Sequence, residues 1–184
     1  MKGLITPILV WALAASPIVF GLCRAPRKVF LSVTSAVAVL GLLGWIAQAG
    51  FGYEITENMT TSLNGHIYLI QKNKVTINKG DLIAFHWRGG ASYPAGTTFI
   101  KRVMGMQGDI VKQANNNFWV GNKYIGFAKP KSLIGVPLVP ASEGVIPEDQ
   151  YFVATPSPDS LDSRYALCGN VKKVEIIGKA YEIF

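Results

Sequence analysis

Two long apolar runs without a single charged residue occupy most of the first 53 residues of this 184-residue chain. The runs extend from Gly3 to Cys23 and from Val29 to Tyr53. A helix that crosses a bilayer needs about 20 consecutive apolar residues, and both runs are long enough. We therefore expect residues 1–53 to form a membrane anchor with two transmembrane helices, at about 3–23 and 29–50.

The loop between the two runs is positively charged, since Arg24, Arg27 and Lys28 lie within five residues. An excess of Lys and Arg marks cytoplasmic loops, so both ends of the anchor would face outward and residues 54–184 would form an extracytoplasmic domain. A cleaved signal peptide, with cleavage near Ala12-Leu13-Ala14, is the alternative, and it would direct the rest of the chain into the cytoplasm. The charge asymmetry favours two spans.

The composition excludes a disordered chain and argues against a nucleic-acid-binding protein. Charged residues make up only 16% of the chain and hydrophobic residues 49%. The net charge is +7, but four of the uncompensated positive charges lie in residues 1–50, beside the apolar runs. A basic surface of this kind suits a membrane, so we expect a lipid bilayer as a partner and no nucleic acid.

Residues 54–184 are predicted to be mainly β. Short apolar runs alternate with turn residues, and no segment has a sustained helical period. Gly121-Asn122 has the sequence of a two-residue hairpin turn. We expect one domain built on an antiparallel, folded or partly closed β-sheet. The predicted strands are His66–Gln71, Asp81–Trp87, Thr98–Val103, Asp109–Gln113, Phe118–Val120, Lys123–Phe127, Gln150–Ala154 and Val171–Phe184.

The cysteines and histidines do not indicate a disulfide, a metal site or a cofactor. Cys23 and Cys168 would lie on opposite sides of the membrane in the predicted topology, so they cannot pair. His66 and His86 have no metal-ligand spacing with other residues. We expect Cys168 to be a packed thiol, and we expect no metal and no cofactor.

Lys101 is the unusual residue of the predicted β domain. It lies in an apolar strand, and strand alternation puts it on the same face as Phe99 and Val103, while Arg102 points to the other face. A lysine on an apolar face either extends its amine to water or loses its charge. A neutral lysine amine is a general base that can activate a serine hydroxyl.

Three segments resemble motifs of the type I signal peptidases, which are membrane-bound serine–lysine proteases. The segment FIKRVMGMQGD, residues 99–109, resembles their lysine box. The segment SLDSRY, residues 160–165, resembles their last conserved box together with Gly169. The segment around Ser62, a few residues beyond a predicted span, resembles the nucleophile box, and the three occur in the family's order.

The resemblance implies a role for each of several residues. Ser62 would be the nucleophile and Lys101 the general base. Thr60, with the backbone N–H of Ser62, would form the oxyanion hole. Ser160 would hydrogen-bond the Lys101 amine and orient it.

The resemblance also implies a structural ion pair between Asp162 and Arg164, with Arg102 as a candidate third member. The base requires a lysine pKa of about 7–8, well below the ordinary value of about 10.4. A carboxylate in direct contact with the amine of Lys101 would oppose this shift, whereas a neutral hydroxyl would not.

The segments depart from the family pattern at three places. Leu63-Asn64-Gly65 stands where the family usually has Met-x-Pro after the nucleophile, and the missing proline leaves the turn less rigid. Ala166-Leu167-Cys168 adds residues before Gly169, and Pro158-Asp159 replaces the usual Gly-Asp-Asn. These departures affect the expected shape of the substrate cleft.

The small outer domain is most similar to the TraF type of conjugative-transfer peptidase, which matures a pilin subunit and in some cases cyclises it. The resemblance thus implies cleavage of leader peptides from an exported precursor, at the outer face of a bacterial inner membrane. A housekeeping leader peptidase is an alternative, and so is a non-catalytic, membrane-anchored assembly protein that keeps only the fold.

Overall fold

The computed structural model describes residues 26–58, 62–72 and 75–184. Its contacts divide the chain into an N-terminal unit that ends at Gly50 and a second unit from Phe51 to Phe184. The predicted first span, about 3–23, lies outside the described residues. Among the residues that are described, one helix is long and apolar enough to cross a membrane.

That helix, α1, extends from Arg27 to Phe51. Pro26 precedes it, and the carbonyl of Pro26 accepts hydrogen bonds from the N–H groups of Val29 and Phe30. The segment from Lys28 to Ile46 has a mean hydropathy of 2.2, and none of it is buried by protein. An apolar helix whose side chains stay unburied among the described residues fits the bilayer prediction for this run, because such side chains need an apolar environment.

The helix of the second apolar run lies close to the predicted bounds of about 29–50, and it ends two residues before the uncharged run does. Gly52 follows α1 with a φ of 66°, in the left-handed conformation that commonly ends a helix. Tyr53, which belongs to the uncharged run, is already the first residue of a β-strand.

The described part of the second unit is an antiparallel β structure, as predicted. Its strands are β1 (Tyr53–Glu57), β2 (Ile67–Gln71), β3 (Leu82–His86), β4 (Thr98–Gly105), β5 (Ile110–Ala114), β6 (Asn117–Val120), β7 (Lys123–Phe127), β8 (Gly144–Val145), β9 (Gln150–Ala154), β10 (Val171–Lys172) and β11 (Ile176–Glu182), with a 3₁₀ turn at Lys173–Glu175. The eight predicted runs all contain strands, whereas β1 and the short β8 were not predicted.

Seven of these strands form a large sheet in the order β1-β2-β11-β3-β4-β9-β10. Strand β4 lies in its interior, paired with β3 on one side and β9 on the other. Lys101 in β4 is directly opposite Ile83 in β3. Because β4 is paired along both edges, the backbone that carries Lys101 is firmly held.

The other four strands form a small sheet in the order β7-β6-β5-β8. The predicted hairpin joins β6 to β7, with Val120 paired to Lys123 across Gly121-Asn122. A buried apolar cluster includes side chains from both sheets, among them Val103, Phe118 and Phe152. This cluster forms the main core of the described unit.

A second, smaller cluster involves the large sheet and the turn before β2. Its buried members are Tyr68, Ile70, Leu82, Ala84 and Ala180, and the partly buried Leu63 packs against them. The large sheet therefore buries apolar side chains on both faces.

Candidate active site

The alternation of β4 places Lys101 on a buried face. Phe99, Lys101 and Val103 are buried, with Lys101 only 5% exposed, whereas Arg102 is exposed. The Lys101 amine lies 5.4 Å from the centre of the Phe99 ring. The Lys101 amine therefore does not extend to water. Of the two alternatives for a lysine on an apolar face, the structure favours loss of charge.

Ser62 lies in the turn between β1 and β2, and the fold brings it to Lys101 across 39 residues of sequence. The Lys101 Nζ donates a hydrogen bond to the Ser62 Oγ at 3.0 Å. When the amine is neutral, the same contact lets Nζ accept the hydroxyl proton. Thr60, the predicted oxyanion-hole residue, lies outside the described residues.

Burial controls the charge of the Lys101 amine. Desolvation lowers the pKa of Lys101 from 10.5 to about 8, and this is the largest influence on it. The Asp162 carboxylate and then the Cys168 thiol act in the opposite direction, while the Arg164 guanidinium lowers the pKa further. A base with a pKa near 8 is partly neutral at physiological pH.

Asp162 and Arg164 form a fully buried ion pair. Arg164 Nε donates to Asp162 Oδ1 and Arg164 Nη2 donates to Oδ2, each at 2.8 Å. Arg164 also donates to the carbonyl oxygens of Phe127 and Ser157, both at 3.1 Å. Within the described residues, no hydrogen bond or ion pair joins Asp162 to Lys101. The carboxylate is thus neutralised by its own arginine.

Arg102 does not belong to this ion pair, contrary to the expectation from the family resemblance. Its side chain is exposed on the opposite face of β4 and donates to the carbonyl oxygen of Gly80 at 2.6 Å. The cause is the strand alternation itself, which sends neighbouring residues to opposite faces of the sheet.

Ser160 is buried, but the expected hydrogen bond to Lys101 is not formed. The Ser160 Oγ has no hydrogen-bond partner within the part of the chain that the structure describes. The Lys101 amine instead makes its hydrogen bond with Ser62. Leaving a buried hydroxyl unpaired costs about 1–3 kcal/mol, so Ser160 retains a strong tendency to acquire a partner.

Cys168 and the two histidines form no metal site among the described residues. Cys168 is 3% exposed, and burial raises the pKa of its thiol to about 12, so it stays protonated. His66 and His86 are exposed. Within residues 26–58, 62–72 and 75–184, no three His, Cys, Asp or Glu side chains are grouped to hold a metal ion.

Two residues at the Ser62 turn were missed by the sequence analysis. The Asn58 side-chain amide donates to the carbonyl oxygens of Leu63 and Gly65, at 3.2 and 2.9 Å. The Tyr68 hydroxyl accepts a hydrogen bond from the Gly65 N–H at 3.1 Å. Strand alternation could have flagged Tyr68 as buried, but nothing in the sequence pattern indicates what Asn58 contacts.

A buried lysine amine within hydrogen-bond reach of a serine hydroxyl is an arrangement suited to nucleophilic catalysis. The antiparallel sheet and this pair of side chains are the arrangement expected of a serine–lysine hydrolase.

The family model described as "Signal peptidase, peptidase S26" matches residues 27–184, and the chain belongs to this family. It is a serine-type endopeptidase.

Two relatives share part of the sequence. The chain is 26% identical over 160 residues to a probable signal peptidase I-2 of Synechocystis, an alignment that covers 83% of this chain and 69% of the relative. It is 28% identical over 114 residues to signal peptidase I U of Bacillus subtilis, with 58% of each chain covered. A crystal structure of a signal peptidase I from Enterococcus faecalis V583 matches 57% of this chain and 97% of its own, at 21% identity and a TM-score of 0.37.

Proposed function

We propose that this protein cleaves signal or leader peptides from exported precursor proteins, with Ser62 as nucleophile and Lys101 as general base. The observation that carries the proposal is the 3.0 Å contact between Lys101 Nζ and Ser62 Oγ. The amine at this contact has a pKa of about 8 because it is desolvated. Position and charge state therefore both suit proton abstraction from the serine.

The proposed reaction has two stages. In the first, the Ser62 oxygen attacks the scissile carbonyl while its proton passes to the neutral Lys101 amine. The protonated lysine then gives this proton to the leaving amine, and an acyl-enzyme forms. In the second, Lys101 takes a proton from the water that attacks the ester, and it returns this proton to the Ser62 oxygen as the acyl–oxygen bond breaks.

The oxyanion of each tetrahedral intermediate needs hydrogen-bond donors. We assign this role to the Ser62 N–H and to Thr60, on the family resemblance. One such donor contributes about 3–4 kcal/mol to the stabilisation of the transition state in comparable sites. Ser160, whose buried hydroxyl is unpaired within the described residues, remains our candidate for orienting the Lys101 amine.

The Asp162–Arg164 pair has a structural role in this proposal. Arg164 joins the carboxylate to the carbonyls of Phe127 and Ser157, so it connects the 157–164 segment to strand β7. It also compensates the charge of Asp162, which would otherwise raise the pKa of Lys101 further.

We place the protein in a bacterial inner membrane. The exposed apolar helix α1 supports the second predicted span, and the basic loop supports the orientation. In this topology, residues 1–53 are an anchor with two spans and residues 54–184 form an extracytoplasmic peptidase domain. The partners are then the bilayer and a membrane-bound precursor, and a common membrane raises their effective concentration. No nucleic acid and no cofactor take part.

A narrower proposal is that the precursor is a conjugative pilin subunit and that this enzyme is of the TraF type. The support for it is the small outer domain, residues 54–184, with few insertions, and the details of its three motifs. Rescue of a cell that lacks its leader peptidase would instead favour a housekeeping enzyme.

One experiment separates an enzyme from a non-catalytic assembly protein. The full-length protein is expressed with a pilin precursor or another exported precursor, and processing is followed by mass spectrometry. We expect cleavage by the wild type and by Lys123→Ala, a control at an exposed lysine. We expect none by Ser62→Ala or Lys101→Ala, and unchanged processing by either variant contradicts the assigned roles.

A further inference from the structure

The turn that carries Ser62 is held by hydrogen bonds from outside the turn. Asn58 follows β1 and lies before residues 59–61, whereas Leu63 and Gly65 lie after them. The Asn58 amide donates to the carbonyls of Leu63 and Gly65, at 3.2 and 2.9 Å, and its own N–H donates to the His66 carbonyl at 2.8 Å. One side chain thus joins the chain entering the turn to the chain leaving it.

Tyr68 holds the same turn from the other side. It is fully buried in β2, a strand that pairs with both β1 and β11. Its hydroxyl accepts the Gly65 N–H at 3.1 Å. Burial raises the pKa of Tyr68, and the Glu182 carboxylate adds to this effect, so the phenol remains neutral at physiological pH. Leu63 packs against the buried cluster that contains Tyr68.

The space around Gly65 explains why this turn has no proline there. A Cβ at position 65 would lie 2.6 Å from the Tyr68 hydroxyl oxygen and 2.5 Å from Glu182 Cγ. A proline would also lack the N–H that Tyr68 accepts. Position 65 corresponds to the proline of the Met-x-Pro pattern, so the ring and the tyrosine hydroxyl are alternative ways to fix the same turn.

We propose that Asn58 and Tyr68 are positioning residues that hold the Ser62 hydroxyl against the Lys101 amine, in place of the missing proline. This proposal rests on the proposed function. Together the two side chains fix the carbonyls of Leu63 and Gly65 and the N–H of Gly65, which limits where the Ser62 backbone can move. A misplacement of about 1 Å at a reacting group can cost about 100-fold in rate.

The first test compares kinetics of Asn58→Ala, Asn58→Asp and Tyr68→Phe with the wild type. Asn58→Asp keeps the size of the side chain but replaces the donating amide with a carboxylate that repels two carbonyls. Asn122→Ala is the control, because Asn122 is an exposed asparagine in the β6–β7 turn. Cleavage of a peptide substrate by the full-length protein in detergent is measured between pH 6 and 10.

We expect kcat to fall about 10- to 100-fold in each positioning variant, with KM within about twofold of the wild type. The pH midpoint of kcat/KM should stay near that of the wild type in Asn58→Ala and Tyr68→Phe, because the burial of Lys101 is unchanged and no charge is added. The proposal is overturned if Asn58→Ala and Tyr68→Phe have the kcat of the wild type. It is also overturned if these variants differ from the wild type only by a higher KM.

The second test does not depend on how well one variant folds. Gly65→Ala, Tyr68→Phe and the double variant form a cycle. Removing the Tyr68 hydroxyl removes one of the three close contacts of a Cβ at position 65, the other two being with Glu182, so Gly65→Ala should cost less kcat in the Tyr68→Phe background. If the losses in kcat caused by Gly65→Ala and Tyr68→Phe are additive in the double variant, a direct contact between positions 65 and 68 is contradicted.

The outcomes also distinguish this proposal from the proposed function. Cleavage that depends on Ser62 and Lys101 but is indifferent to Asn58 and Tyr68 refutes the positioning roles alone. A wild-type protein that cleaves no exported precursor or peptide refutes both.

Discussion

Replacing Lys101 with methionine should stabilise the protein at neutral pH while abolishing its activity. Methionine is unbranched, apolar and similar in length, so it can fill the same buried space. The wild-type amine is mostly protonated at pH 7, since its pKa is about 8, and the protein bears the cost of burying that charge. The Lys101→Met variant has no charge at this position, so it does not bear this cost.

The magnitude follows from the two pKa values. A fall in the pKa of Lys101 from 10.5 in the unfolded chain to about 8 in the folded protein corresponds to about 3.4 kcal/mol, at about 1.36 kcal/mol per unit. Between pH 8 and 10.5 the unfolded state binds one more proton than the folded state, so the free energy of unfolding of the wild type rises with pH. Below pH 8 the whole cost is present, and above pH 10.5 it is absent.

The assay is urea unfolding followed by tryptophan fluorescence, at several values from pH 7 to pH 10.5. Taking the difference between Lys101→Met and the wild type cancels the other titrating groups. We expect the variant's advantage to shrink by about 3 kcal/mol across this range, whereas Lys123→Met, at an exposed lysine, gives a constant difference. A difference for Lys101→Met that does not change with pH refutes the claim that the amine is buried with a lowered pKa.

Three further substitutions test a buried ion pair, a closely packed glycine and an exposed ion pair of the second unit. Asp162→Ala leaves the buried Arg164 guanidinium unpaired, so the free energy of unfolding should fall by about 3–5 kcal/mol, and a loss under 1 kcal/mol in urea titration would contradict the buried pair. Gly105→Ala places a Cβ 2.6 Å from Ile146 Cδ1, and we expect a loss of about 1–3 kcal/mol, seen as a lower Tm, with an unchanged Tm as the contrary result. Lys173→Ala removes an exposed ion pair with Asp149 and should leave Tm unchanged; a clear decrease would show that this pair is more than a surface contact.

The strands of the second unit were predictable because local patterns determine them. Alternating side chains and turn glycines mark each run, and in β4 this alternation alone placed Lys101 on the buried face. The same alternation placed Arg102 on the other face, and the structure confirms that placement, whereas the family resemblance had suggested Arg102 as a member of the ion pair.

The remaining features depend on contacts between distant segments. The predicted strand Val171–Phe184 is interrupted by the 3₁₀ turn at Lys173–Glu175, where Arg88 pairs with Glu175 from 87 residues away. Strand β1 was hidden in the sequence because its first residue belongs to the apolar run, and only the left-handed Gly52 separates helix from strand.

At the site, the sequence indicated which residues carry chemistry but not what surrounds them. The buried position of Lys101 follows from periodicity, whereas its 3.0 Å contact with Ser62 joins a strand to a turn that lies 39 residues earlier in the chain. The contacts of Asn58 and Tyr68 with the Ser62 turn are likewise tertiary. For Ser160, the motif predicted a hydrogen bond with the Lys101 amine, and this bond is not formed in the described part of the structure.

The pH dependence of kcat/KM for precursor cleavage tests the central claim most directly. If neutral Lys101 is the base for Ser62, kcat/KM should rise about tenfold per pH unit below a midpoint near 8 and level off above pH 9. About 9% of the amine is then neutral at pH 7, compared with about 0.03% for a lysine at the ordinary value of 10.5. A rate that continues to rise beyond pH 10, or one that is independent of pH between 6 and 9, contradicts the account.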